Sequence, residues 1–280
     1  MINGHYNNFT TMKFSGGEIQ VRLEEGLART IYQSQIGVGI HAKIKSSDDL
    51  MELLLLTDAI RRTGNKTPIK LQLPYIPYAR QDRVCYPGEA LSLKVFCDII
   101  NAQKYDTVQV YDAHSDVALA LLDNVVHVES FRILYNNRRF FPEDVVLVSP
   151  DAGAMKKVTK CAEYLEKEMV VAKKIRDPKT GNITGTDVDM STLDCPLGRK
   201  WLIVDDICDG GRTFIELAKR MNEMVSHNGI DLYVTHGIFS KGFDVFRETV
   251  PGKDLPLINH IYVANSFVDD VPSFVTKILP

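Results

Sequence analysis

Apolar residues in this chain follow two patterns that alternate along its length. Strict alternation or short continuous runs mark strands, and apolar positions three and four apart mark helices. A turn at Gly16-Gly17 precedes the alternation Ile19, Val21, Leu23, which reads as a half-buried strand. Thr30 to Ile44 reads as further extended chain. Within it Gly37-Val38-Gly39 mimics a dinucleotide fingerprint, but Lys43-Ile44-Lys45 looks extended and starts no helix, so the match is set aside. Ser46 to Asp49 looks like a cap for a helix carrying Leu50, Leu53, Leu54, Ala59 and Ile60, which Gly64 ends. A strand is expected at 69–73, a helix at 89–103 with Leu93, Phe96, Ile99 and Ile100 on one side, and a strand at 107–111. The pattern turns polar between Phe131 and Glu143, then restarts. Strands are expected at 145–148, 169–172, 202–204, 232–235 and 261–264, the last taken as the final strand. Helices are expected around Met155 to Leu165 and around Phe214 to Met221. Strands alternating with helices in both halves predict two similar α/β domains.

Composition narrows the class. At 280 residues the chain exceeds the usual size of one core, which agrees with two domains. Apolar content of 45% and charged content of 25% are those of a soluble globular protein. A net charge of −3, with no long basic run, argues against a nucleic-acid partner. No apolar run reaches the roughly 18 residues of a membrane helix, so no membrane partner is expected. The five cysteines form no Cys-x-x-Cys and read as reduced thiols, so a cytoplasmic location is expected.

Candidate chemistry gathers where strands end. Leu202, Ile203 and Val204 run into Asp205 and Asp206, and Asp209-Gly210-Gly211-Arg212-Thr213 then turns into a helix. Glycines let backbone approach an anion, and a helix N-terminus offers unpaired N–H groups to phosphate. The two carboxylates suit sugar hydroxyls or a metal. A sugar phosphate satisfies both halves. The Walker pattern is absent. The strand at 69–73 leads into Pro74 to Arg83, whose prolines stop regular structure and whose Arg80 and Arg83 suit phosphate or a stacked base. The strand at 107–111 delivers Asp112, His114 and Ser115, and that at 145–148 delivers Asp151. A hard ion such as Mg²⁺ with phosphate oxygens fits these loops better than zinc. Lys173 to Asn182 is cationic, ends in turn residues and reads as a mobile flap or hairpin.

Asp205 to Thr213 resembles the loop that binds 5-phosphoribosyl 1-pyrophosphate in phosphoribosyltransferases and in ribose-phosphate pyrophosphokinases. The rest of the chain is similar to the second family. The matching segments are Phe14 to Glu18, Asp49 to Leu53 with Arg61-Arg62, Tyr78 to Arg83 and Asp112 to Ser115. Val148 to Gly153, Lys174 to Arg176, Val204 to Asp209 and Thr235 to Ser240 follow in the family's order. The resemblance implies two phosphoribosyltransferase-like domains, each a mainly parallel sheet flanked by helices. They are expected at 1–135 and 136–265, the tail 266–280 joining the first.

It also implies transfer of the diphosphoryl group of ATP to the 1-hydroxyl of ribose 5-phosphate, with release of AMP, for nucleotide or NAD synthesis. Carried over, Arg80, Gln81 and His114 bind ATP, and Phe14 and Glu18 reach its adenine from a neighbouring subunit of a dimer or of a hexamer built from dimers. His114 and Asp151 help hold Mg²⁺. Asp205 and Asp206 meet the ribose hydroxyls or their metal, and Asp209, Gly210, Gly211, Arg212 and Thr213 cradle the 5-phosphate. Lys174 and Arg176 match the catalytic flap. Gly16 stands where the family usually has Asp or Asn, and Gly210-Gly211-Arg212-Thr213 departs from its commoner Thr-Gly-Gly-Thr. Two other readings remain: a phosphoribosyltransferase, or a regulatory paralogue without turnover.

Overall fold

A computed structural model describes residues 2–4, 9–33, 37–64, 67–176, 183–191, 193 and 197–279. Two compact units divide the chain, Met1–Val128 and Glu129–Pro280. In chain order the first unit holds β1 (Ile2–Gly4), β2 (Phe9–Lys13), β3 (Ile19–Leu23), α1 (Glu25–Gln33), β4 (Val38–Ala42) and α2 (Ser47–Arg61). β5 (Ile69–Leu73), α3 (Ser92–Ala102), β6 (Thr107–Tyr111), α4 (Asp116–Leu121) and β7 (Val125–Val128) complete it. The second unit holds α5 (Ser130–Asn136), β8 (Val145–Ser149), α6 (Met155–Leu165), β9 (Met169–Arg176), β10 (Ile183–Val188) and β11 (Lys200–Cys208). α7 (Arg212–Met224), β12 (Ile230–Gly237), β13 (His260–Ser266) and β14 (Val275–Lys277) follow.

The first sheet has the order β1-β4-β5-β6-β7, parallel except for β1 at its edge. Ser46 caps α2 through a reciprocal box with Asp49, which satisfies N–H groups that the helix start leaves open. Leu53, Leu56 and Ile60 of α2 and Leu93, Phe96 and Ile100 of α3 are buried in the core with Leu71, Leu73, Val108 and Val110. β2 and β3 form a separate hairpin. Thr11 donates to Glu52 and Lys13 pairs with Asp48, tying that hairpin to α2.

The second sheet has the order β10-β9-β8-β11-β12-β13-β14, parallel except for the β9–β10 hairpin. All residues of β8 and of β12 are buried, as in parallel strands covered on both faces; β8 reads as a nearly continuous apolar run, whereas β12 also buries Asp231, Thr235 and His236. Phe214, Ile215, Leu217, Ala218 and Met221 of α7 pack with Val146, Trp201, Ile203, Leu232 and Val263 in the core of this unit.

Several expectations change. Thr30 to Gln33 belongs to α1, not to extended chain. The final strand is β14, after β13. The units divide at Val128 rather than 135, because α5 packs on α6 through rings such as Phe131 and Tyr164, with centroids 4.2 Å apart. The tail 266–280 does not join the first domain: β14 hydrogen-bonds β13 at the edge of the second sheet. Gly39 lies inside β4, so no helix starts there. The expected hairpin exists as β9–β10, while residues 177–182 lie outside the described residues. No helix among the described residues is long and apolar enough to cross a membrane.

Candidate active site

From β8 the chain winds outward to β9, then returns to the other side of β8 as β11. Open α/β sheets place ligands beyond the carboxyl ends of strands at such a reversal. Asp151 lies in the loop leaving β8. Its Oδ1 accepts from the N–H groups of Gly153 at 2.9 Å and Ala154 at 3.1 Å, closing a turn that leads into α6. On the other side of the reversal, β11 runs to Cys208, beyond the end at Val204 that the apolar run suggests. β8 pairs with it only as far as Ile203, whereas β12 continues the pairing to Cys208. Asp205 and Asp206 therefore stand on a stretch of β11 that β8 no longer flanks.

The turn after β11 is shaped by Gly211, whose φ of 78° favours glycine. A β-carbon there would also collide with the ring of Phe246. Phe214 and Ile215 donate their N–H groups to the Gly211 carbonyl at 3.1 and 3.2 Å, so α7 bonds to itself from Phe214 onward. A helix start leaves its first N–H groups, here those of Arg212 and Thr213, without partners in the preceding turn, as an anion site needs. The Arg212 side chain is 85% exposed and extends along the helix to Glu216, 3.7 Å away. Motif reading missed two cations of this region. The stem of Lys241 lies 3.4 Å from where a β-carbon on Gly210 would sit. Lys157 of α6 places Nζ 3.2 Å from Asp206 Oδ2. No periodicity marks either one, because tertiary packing makes both contacts.

Asp205 Oδ1 accepts the Asp206 N–H at 2.9 Å. Burial, then the neighbouring Asp206 charge, raises the Asp205 carboxyl well above the usual range. Burial also pushes the Cys208 thiol up, with Asp205 and Asp209 adding to it, so Cys208 is no thiolate nucleophile.

In the first unit, Arg80 and Gln81 are exposed in the loop that follows β5. That loop is fixed by backbone: Gln81 N–H donates to the Tyr78 carbonyl at 2.8 Å, and Leu93 N–H to the Gln81 carbonyl at 3.4 Å. Tyr78 adopts φ 61°, a strained conformation of the kind found at ligand sites. His114 is exposed in the loop after β6, the strand beside β5. Asp82, to which motif reading gives no role, is paired with Arg83, its Oδ1 2.9 Å from the guanidinium. The hydrogen bond from Arg83 draws its carboxyl below the usual range, and the nearby His114 charge adds to the effect. Phe14 and Glu18 close the β2–β3 hairpin, where Phe14 N–H donates to the Glu18 carbonyl at 2.8 Å and the Phe14 ring is 48% exposed. A β-carbon on Gly16 would meet Glu18 Oε2 at 2.7 Å.

Lys174 and Arg176 lie on β9, opposite Thr186 and Ile183 of β10; their side chains lie outside the described residues. Among the described residues, no group of three or more His, Cys, Asp or Glu side chains could hold a metal ion.

Residues 2–103 match the family model for the N-terminal domain of ribose phosphate pyrophosphokinase, and residues 120–227 match that of the phosphoribosyl transferase domain. A protein of Streptococcus pneumoniae serotype 4, provisionally named ribose-phosphate pyrophosphokinase 2, is 32% identical over 83% of this chain and 70% of its own length. A counterpart in Streptococcus pyogenes serotype M6, with the same provisional name, is 29% identical over 94% of this chain and 78% of its own. The crystal structure of phosphoribosylpyrophosphate synthetase from Mycobacterium smegmatis shares the fold with a TM-score of 0.71 at 24% identity, covering 97% of this chain and 86% of that one. The chain belongs to the ribose-phosphate pyrophosphokinase family.

Proposed function

We propose that this protein transfers the β,γ-diphosphoryl group of ATP to the 1-hydroxyl of ribose 5-phosphate, giving 5-phosphoribosyl 1-pyrophosphate and AMP. The observation that carries this reading is the seating of Asp205 to Thr213 at the reversal of the second sheet, where carboxylates and helix N–H groups meet. Asp205 and Asp206 hold the ribose hydroxyls or their metal. Asp209, Gly210, Gly211, Thr213 and the backbone of Arg212 cradle the 5-phosphate. Arg80, Gln81 and His114 bind ATP, and Phe14 and Glu18, exposed at a hairpin turn, reach the adenine of a neighbouring copy in a homo-oligomer.

The 1-hydroxyl oxygen bonds to the β-phosphorus, the bond from that phosphorus to the α–β bridging oxygen breaks, and the hydroxyl proton leaves to solvent. Positioning and cations stabilise charge spread over the transferred group, and Lys174 and Arg176 supply two of them. Mg²⁺ carried by phosphates takes one or two carboxylates from a protein, and Asp151, at a strand's carboxyl end in the second unit, would be a ligand of that kind; His114 of the first unit is the other residue that would serve the ion. When bound, the ion offsets charge on the diphosphoryl group.

A phosphoribosyltransferase would leave Arg80, Gln81 and His114 without a role, and a regulatory paralogue would have less need of Lys174, Arg176, His114 and Asp151. Phosphorus NMR of ATP, Mg²⁺, ribose 5-phosphate and protein tests the reaction. AMP and a sugar 1-diphosphate are expected; ADP with a sugar bisphosphate would show transfer of a single phosphoryl group.

A further inference from the structure

The motifs leave Lys157 unassigned. It lies near the start of α6, on the helix that follows the Asp151 loop. Its ammonium reaches the end of β11, 3.2 Å from Asp206 Oδ2, with 22% of the lysine side chain and 10% of the aspartate side chain exposed. Neighbouring Lys156 is exposed instead. Two charges this enclosed lose much of their hydration, so such a pair is weak evidence for stability alone and asks for another role.

Two physical consequences follow from the contact. The terminal torsion of an aspartate is broad, so a carboxylate without a fixed partner samples many rotations. The Lys157 ammonium on Oδ2, together with the neighbouring Asp205 side chain, restricts that rotation. Asp206 and Asp209 also place negative charge beside a loop shaped for an anion, and a cation beside them offsets the repulsion that an arriving phosphate meets.

We infer that Lys157 is a positioning residue for ribose 5-phosphate, fixing the orientation in which the Asp206 carboxylate meets the sugar hydroxyls. The inference rests on the proposed reading of the β11–α7 loop as the sugar-phosphate site. Lys157 acts through Asp206 and makes no bond to the reacting atoms.

Calorimetric titration of ribose 5-phosphate into wild type, Lys157→Met, Lys157→Gln, Lys157→Arg and Lys156→Met tests it, with KM measured for both substrates. Lys157→Met is expected to weaken ribose 5-phosphate binding by about 10- to 100-fold, the usual cost of losing a group that orients a ligand-binding side chain. KM for ATP stays at the wild-type value, Lys157→Arg restores most of the affinity, and Lys156→Met binds as wild type does. Lys157→Gln is expected to be weakened too, and decides the matter if Lys157→Met does not fold. Wild-type affinity in either neutral variant, or an equal rise in both KM values, would overturn the inference. Wild type failing to bind ribose 5-phosphate would instead overturn the reading on which it rests.

Discussion

Gly211 and Phe246 are packed so closely that a β-carbon on the glycine would fall within the phenyl ring's contact distance. Phe246 is 2% exposed and meets Phe239 edge-on at 6.1 Å, so it has little room to move. The phosphate loop is thus braced from behind by an aromatic residue from a short 3-10 turn, Asp244–Arg247.

Gly211→Ala is therefore expected to destabilise in two ways: the left-handed conformation costs an L-residue about 1–2 kcal/mol, and the new methyl group strikes Phe246. Phe246→Ala alone is expected to cost about 3–5 kcal/mol. The double variant should be more stable than the sum of the two losses by roughly 0.5–3 kcal/mol, since removing the ring removes the clash. Urea unfolding followed by Trp201, the single tryptophan and fully buried in the second unit, measures all three. Strict additivity would show that the two residues do not press on each other.

Asp205→Asn should raise stability at neutral pH while lowering turnover. The folded-state carboxyl ionises above the usual 3.8 because it is buried and sits beside Asp206. As pH rises through the ordinary carboxylate range, the unfolded chain loses this proton before the folded one, so this group makes wild type less stable with rising pH. Asparagine carries no such proton. The stability advantage of the variant should be small near about pH 4 and larger near about pH 7, read as the difference in urea midpoints. A difference that shrinks as pH rises would contradict the burial of Asp205.

Lys174→Ala should lower kcat by about 10²- to 10³-fold, as loss of an oxyanion donor does, with ribose 5-phosphate affinity almost unchanged. Steady-state rates together with calorimetry separate the two effects. A variant with near-normal kcat would remove Lys174 from the chemistry.

Most central strands were legible because parallel strands covered on both faces carry apolar runs, as β8 does, whereas the edge strands β1 and β7 were not anticipated. Nor was α1, because Thr30, Ile31 and Tyr32 favour extended chain locally and packing of Ile31 decides otherwise. β14 is too short to carry a pattern and exists by pairing with β13. In the site, Asp205 to Thr213 could be read because one turn between strand and helix holds those residues contiguously. Lys157, Lys241 and Phe246 could not, since each reaches the loop from another element. Asp82 was visible within its motif, but its nearness to His114 depends on β5 and β6 lying side by side.

The most direct measurement of the central claim is the initial rate of AMP release from ATP, with ribose 5-phosphate and Mg²⁺ omitted in turn. AMP is expected only when both are present, in step with formation of 5-phosphoribosyl 1-pyrophosphate. AMP release that persists without ribose 5-phosphate, or none with all components present, would contradict the proposed diphosphoryl transfer.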